Sequence, residues 1–230
     1  MPPSPRSSQR ATEYLEVLYS LLYPVGEFRP SEAAKPIAAR VAARLGVSRP
    51  SASETLQRLN DQGYIERATS HALALTPKGL EVAEQAIRST RVIERFLADA
   101  LGYDPAQVHE LALQVRDGFT PEMVDRLHAH LGSPERCPHG WLLGAAAERD
   151  EADGLARLVD LASGARGAIV GVVETDADLV EWLFSAGLTP GSDVTIVSVE
   201  SAAGLRTVEV GGNALVVADQ AARQVFLQTA

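Results

Sequence analysis

Near the start of the chain, apolar residues recur at helical spacing. In "TEYLEVLYSLLY" they fall at Tyr14, Leu15, Leu18, Tyr19, Leu21 and Leu22, the stripe of an amphipathic helix. "PVGEFRPSEAAKP" breaks the pattern with prolines and a glycine and reads as a loop. "IAARVAARLGVS" resumes it with Ile37, Val41 and Leu45 on one face, and Gly46 stands where a helix would end. Ser48 is a good N-cap for a third helix, "PSASETLQRLNDQGYI". Pro50 falls in its first turn, where a missing N–H costs nothing, and Gly63 closes it. "YIERA" and "ALALT", around "TSH", predict a short hairpin. A helix, a tight turn, a helix and a hairpin together predict a winged helix-turn-helix.

The next stretch, "LTPKGLEVAEQAIRSTRVIERFLADALG", keeps helical spacing through Val82, Ala86, Val92, Ile93, Phe96 and Leu97. As one helix it would run about 40 Å at 1.5 Å per residue. "DPAQVHELALQVRDG" predicts a further helix capped by Asp104, and "TPEMVDRLHAHLG" another, capped by Thr120 and ended by Gly132. Three helices on short turns make a bundle, with more apolar surface than one head can cover, so a homodimer interface is expected. "SPERCPHGWLLGAAAERDEADG" reads as a linker with a motif inside it. From Leu158 onward, short β-branched runs set off by Gly and Asp predict about five strands, with "DADLVEWLFSAGLTPGS" as one helix among them and a small barrel as the result. The predicted fold is mainly α with a small β domain. The expected divisions are a disordered arm over 1–10, a winged head over 11–78, a helical domain with the dimer interface over 79–140, a linker over 141–157 and the barrel over 158–230.

Composition narrows the function. The net charge is -9, yet it is unevenly spread. Residues 1–88 hold eleven Lys/Arg against nine Asp/Glu, while residues 89–230 hold ten against twenty-one. A mildly basic head on an acidic body is compatible with DNA binding. No apolar run is long enough to span a bilayer, and "MPPSPRSSQR" lacks the apolar core of a signal peptide, so a cytoplasmic protein is expected. Cys137, the single cysteine, excludes an intramolecular disulfide. No nucleophile–base–orienter set and no H-E-x-x-H spacing stands out, so an enzyme is not expected. Gly164, Gly167 and Gly171 do not have the dinucleotide-binding spacing.

"TEYLEVLY", "VAARLGVSRPSASETLQRLNDQGYIE", "LALTPKG", "RVIERFL", "CPHG" and "GLTPGSDVTIV", in this order, resemble the diphtheria-toxin-repressor family of metal-dependent transcriptional regulators. The resemblance implies a winged-helix head, a helical dimerisation domain and a C-terminal barrel related to FeoA proteins. It also implies a homodimer that represses from a palindromic operator under the control of Mn(II) or Fe(II). Ser48, Pro50, Ser51 and Glu54 match positions that face the major groove. Glu54 stands where glutamine is common, which points to a changed operator. Arg49, Arg58 and His71 are further candidates for phosphate contact.

The sensor matches less well. Glu13 and Glu16 fall at ligand positions of the first helix, Glu94 and His109 at ligand positions of the bundle, and Glu174 at a barrel ligand position. Thr90 replaces a histidine. Within "LQVRD", Leu113, Arg116 and Asp117 occupy three core ligand positions. Leucine cannot bind a cation, and arginine brings a fixed charge of its own. Two readings stay open. In one, Arg116 takes the ion's place and pairs with Glu13, Glu16 or Glu94. In the other, an ion persists at a remodelled site of Glu13, Glu94, His109 and Asp117, with Glu174 reaching in. Cys137 and His139 read as structural parts of the linker motif, and His128 and His130 do not share a helix face.

Overall fold

The N-terminal helices form where their apolar stripes predict them. The computed structural model describes residues 5–22, 36–67, 73–144, 154–174 and 176–229, and the chain divides into two compact units, residues 1–88 and 89–230. In the first unit, α1 (Pro5–Leu22) buries Tyr14, Leu15, Leu18, Tyr19 and Leu21. It begins at Pro5, so the arm expected to be disordered over residues 1–10 is helical from that point. Proline is at home in the first turn, and "RSSQRA" contains no helix breaker.

Helix α2 (Ile37–Arg44) packs against α3 (Arg49–Asp61), which buries Ala52, Thr55, Leu56 and Leu59. Gly46 takes a φ of 62° in the turn between them, a conformation that suits glycine. The Ser48 hydroxyl accepts from the Ser51 N–H at 3.3 Å and so caps α3. β1 (Ile65–Arg67) and β2 (Leu73–Leu75) pair antiparallel with Ile65 opposite Leu75. His71, expected at the wing tip, lies outside the described residues. α4 (Pro77–Asp99) spans the boundary between the units, and the Thr76 hydroxyl accepts from Gly79 N–H at 3.2 Å in its first turn.

In the second unit, α5 (Pro105–Val115) is capped by Asp104 and α6 (Pro121–His130) by Thr120. Ile93 and Leu97 of α4 meet Val108 and Ala112 of α5 in one buried cluster. The expected helix over "DPAQVHELALQVRDG" is shorter than predicted. α5 stops at Val115, and Arg116–Gly118 tighten into a 3-10 turn.

The C-terminal sheet has six strands in the order β3-β8-β4-β5-β6-β7: β3 (Ala156–Arg157), β4 (Arg166–Val172), β5 (Asp193–Glu200), β6 (Leu205–Val210), β7 (Asn213–Ala218) and β8 (Val225–Thr229). All neighbours run antiparallel, and bulges interrupt β4 after Ile169 and β5 after Ile196. The expected barrel is therefore an open sheet. β3 contributes two residues and pairs with β8, and among the described residues no ladder closes it onto β7. α7 (Ala177–Ser185) is the expected helix, and it packs against α5. "NALVVADQAARQVFLQ" divides into β7, a short helix α8 (Asp219–Ala222) and β8. The stretch expected as a linker contributes to the fold at its described residues. Trp141 and Leu143 are buried, and Ala156 and Arg157 join the sheet.

Candidate metal centre and DNA-facing helix

Glu94 lies on the apolar face of α4, between Ile93 and Leu97, with its side chain fully buried. A carboxylate so placed must find partners or an ion. His109, on α5, approaches it with Nδ1 2.7 Å from Glu94 Oε1. The carboxylate only accepts, so Nδ1 carries the proton and donates. Glu94 Oε2 is also buried, and it has no hydrogen-bond partner.

That oxygen faces a turn. Residues 135–143 fold back on themselves through hydrogen bonds from Cys137 N–H to Trp141 O at 2.8 Å and from Leu143 N–H to Glu135 O at 2.8 Å. Gly140, with φ at 97°, allows the reversal, and any side chain there would run into the Val170 carbonyl of β4. The turn presents Cys137 and His139, both buried. His139 Nε2 lies 2.8 Å from the Pro105 carbonyl oxygen, which can only accept, so Nε2 carries a proton and Nδ1 is left facing inward. Nδ1 is 3.5 Å from Glu94 Oε2 and 4.0 Å from Cys137 Sγ. Among the described residues, Glu94, Cys137 and His139 form the group whose ligand atoms all lie within 4.8 Å of one another.

The electrostatics show which protons a cation would have to displace, those of the His139 imidazole and the Cys137 thiol. Burial works against the Glu94 charge, but the hydrogen bond from His109 and the nearby His139 outweigh it and lower the carboxyl pKa. Burial opposes the charge on His139 as well, yet Cys137 and Glu94 raise its pKa well above the ordinary imidazole range. Burial and the Glu94 charge push the Cys137 thiol up. Against burial, His109 is raised by Glu94 and by the charge of Glu174. The free Oε2, the inward Nδ1 and the thiol supply one oxygen, one nitrogen and one sulfur donor. A histidine bound through one nitrogen while the other donates to a backbone carbonyl is a common arrangement in metal sites.

Cys137 and His139, read from the sequence as structural parts of the linker motif, both lie against Glu94 here. Local spacing gave no signal, because the turn takes its ligand geometry from contacts with Pro105 and with β4. The other candidates divide. Glu94 and His109 come together as expected, and the half-buried Glu174 acts on His109 through its charge. Asp117 does not join the group: its side chain is 47% exposed and lies 3.7 Å from Arg116 Nε. Leu113 is 42% exposed. Arg116 is buried and donates through Nη1 to Thr90 Oγ1 at 3.1 Å, so part of its fork is committed to Thr90. Glu13 and Glu16 are half-buried on α1 in the N-terminal unit. His128 accepts no ligand role in this arrangement, since its Nε2 is paired with the Pro134 carbonyl at 3.0 Å.

On the head, Ser48, Arg49, Pro50, Glu54 and Arg58 are exposed along α3. Arg58 is steadied by a hydrogen bond to Thr55 Oγ1 at 3.1 Å. Sequence reasoning missed Arg10, which reaches from α1 to Ser51 Oγ at 3.0 Å. Its signal was hidden because it sits in what reads as a disordered arm.

Three family models match the chain. Residues 7–73 match the iron-dependent repressor N-terminal DNA-binding domain, 76–141 the iron-dependent repressor metal-binding and dimerisation domain, and 156–229 the FeoA domain. The chain is 32% identical over 196 residues to the iron-dependent repressor IdeR of Mycobacterium tuberculosis, covering 80% of this chain and 81% of that one. It is 30% identical over 194 residues to the diphtheria toxin repressor of Corynebacterium diphtheriae, covering 80% and 82%. A manganese-dependent transcriptional repressor in complex with manganese has the same fold, with a TM-score of 0.83 at 25% identity over 96% of this chain and 100% of that one.

Proposed function

The chain belongs to the family of iron-dependent transcriptional repressors, and from this we propose that it is a homodimeric repressor governed by a divalent ion at Glu94, Cys137 and His139. The observation that carries this reading is the buried Oε2 of Glu94, which accepts no hydrogen bond and lies 3.5 Å from Nδ1 of an imidazole whose other nitrogen is already committed to Pro105. Bound there, an ion would supply the positive charge that this carboxylate and a thiolate require. The family binds iron or manganese. A thiolate among the donors moves the balance from Mn(II) towards Fe(II). His109 holds Oε1 and orients the carboxylate, and Glu174 adds negative charge at the same site.

The DNA partner is double-stranded operator DNA, read as a palindrome by two copies of α3. Its exposed Ser48, Arg49, Pro50 and Glu54 lie on the first turns, where backbone and hydroxyls approach the groove. The dimer is supported by exposed apolar residues on the helical domain, Leu101, Tyr103, Leu113, Val115 and Met123. In keeping with the family, the protein works in the cytoplasm, and no described helix is long and apolar enough to cross a membrane.

A second reading is favoured by Arg116. Its burial and its bond to Thr90 place a fixed cation on the segment to which the resemblance assigns ligand positions; on this reading the protein binds DNA without an ion and Arg116 takes the ion's place. An operator gel shift with Mn(II) or Fe(II), and again in chelator, separates the two. The leading reading expects binding to be lost in chelator and to be lost with metal present in Cys137→Ser. Equal binding in chelator supports the Arg116 reading and removes the first.

A further inference from the structure

Beside the two ligands of the turn stands Trp141, which is 2% exposed. Its indole N–H donates to the Val172 carbonyl of β4 at 2.8 Å. The Val172 N–H in turn donates to the His139 carbonyl at 3.0 Å. One strand residue is thus gripped from both sides of the turn. The ring lies flat on β4, where Gly171 has no side chain; a methyl group there would sit 3.0 Å from Cε2 and Cζ2 of the indole. Phe226 of β8 meets the ring edge-on, with centroids 5.5 Å apart. The Trp141 carbonyl closes the turn by accepting from Cys137 N–H.

We propose that Trp141 is the positioning residue of the metal centre, fixing the turn on β4 so that Cys137 Sγ and His139 Nδ1 both face Glu94. This rests on the reading of Glu94, Cys137 and His139 as an ion site. The physical reason is the attachment of the turn. The turn is closed internally by its own backbone bonds and anchored by His139 to Pro105 and by Arg91 to the Leu142 carbonyl, and Trp141 adds the side-chain attachment that sets its height on β4. Trp141 does so through one hydrogen bond and one flat contact, both to the same strand. That strand leads two residues later to Glu174, whose charge acts on His109. The indole therefore places the sheet domain in control of ion affinity. A sheet that loosens, or a ring displaced from Gly171, moves the thiolate and the imidazole together.

The test uses the full chain and Co(II), which reports a thiolate ligand by its charge-transfer absorption. Trp141→Phe removes the N–H and keeps an aromatic ring. Replacing Trp141 with benzothienylalanine keeps the indole shape and removes only the donor. Gly171→Ala pushes the ring. Each should lower Co(II) affinity about 10-fold and shift or weaken the thiolate band. The unfolding midpoint of the ion-free protein is read in parallel, because a merely structural residue would lower it and leave the band of the bound form unchanged. Wild-type protein without any thiolate band would remove the ion-site reading on which the proposal rests. A wild-type band that persists unchanged in the variants, with affinity within about twofold, would overturn the role of Trp141 and leave the site standing. The benzothienylalanine protein decides the matter if Trp141→Phe does not fold.

Discussion

Two segments of the C-terminal unit present themselves as seats for an ion, the end of α5 and the turn at 137–141. The helix end carries Leu113, Arg116 and Asp117, of which one cannot ligate, one is a cation and one is half exposed. The turn carries a thiol and an imidazole, both buried against a fully buried carboxylate. The difference lies in desolvation. A carboxylate in water is already satisfied, whereas a buried oxygen without a partner gains the full interaction with whatever cation reaches it. What decides the seat is therefore less the number of acidic residues than the number of unsatisfied buried donor atoms aimed at one point. By that measure Glu94 Oε2 is the one such atom among the three groups, with the thiol and the imidazole of the turn aimed at the same point, and no such oxygen is found at the helix end among the described residues.

The largest effect that would break the comparison comes from the turn. Glu94→Gln, Cys137→Ser and His139→Ala should each lower ion affinity by about 100-fold or more, since each removes one of three protein donors. Chelator competition with Fe(II) or Mn(II) measures this. Retention of full affinity by any two of the three would return the site to α5.

Acid should act on the turn next most strongly. In the ion-free protein His139 has a raised pKa, and the Cys137 thiol holds its proton at neutral pH. The sign for folding follows from the raised imidazole value. The His139 contribution to stability is fully present below the ordinary imidazole range and is lost as pH rises through the raised value. Ion binding runs the other way, because the ion must displace these protons. Affinity should rise by about tenfold per pH unit for each proton displaced. Calorimetry in two buffers of different ionisation heat counts the protons. Binding independent of pH between about 6 and 8 would exclude the thiol and the imidazole as ligands.

The outcome for the sequence reading divides along the same line. Helices with caps were legible, because Ser48, Asp104 and Thr120 each announce a start and the apolar stripes give the faces. Glu94 and His109 were legible as candidates because they lie on regular helices. Cys137 and His139 were not, because their directions are set by the Pro105 carbonyl and by Val172, far away along the chain. The open edge of the sheet was hidden for a similar reason: nothing in "LARLVD" says that only two residues will pair. The end of α5 was misread as helix, since no proline or glycine stands between Ala106 and Asp117, and the tightening at Arg116 accompanies the burial of its side chain.

A graft sharpens the comparison from the other side. Leu113→Glu with Arg116→Glu supplies two carboxylates beside Asp117 and removes the fixed cation. It should add a second, weaker binding event in Mn(II) calorimetry. The loss of the Arg116 bond to Thr90 should cost about 1 kcal/mol of stability, read from denaturant unfolding. If the graft binds no second ion, Arg116 is not what keeps α5 from serving as a seat.

The smallest effect is expected at Asp117, and it is the most direct test of which segment is used. Its side chain is 47% exposed, and its contact to Arg116 is long, at 3.7 Å. An exposed pair at that distance is worth little, about 0.5 kcal/mol or less, because water screens it. Asp117→Asn keeps the shape and removes the charge. Ion affinity should stay within about twofold and the unfolding midpoint should hardly move. The reading in which α5 bears the ion expects something else from the same variant. There Asp117 is a ligand, and losing its charge would lower affinity by about 10-fold or more. Measured beside Cys137→Ser under one set of conditions, the ratio of the two losses assigns the ion to the turn if it is large and to the helix end if it falls below one.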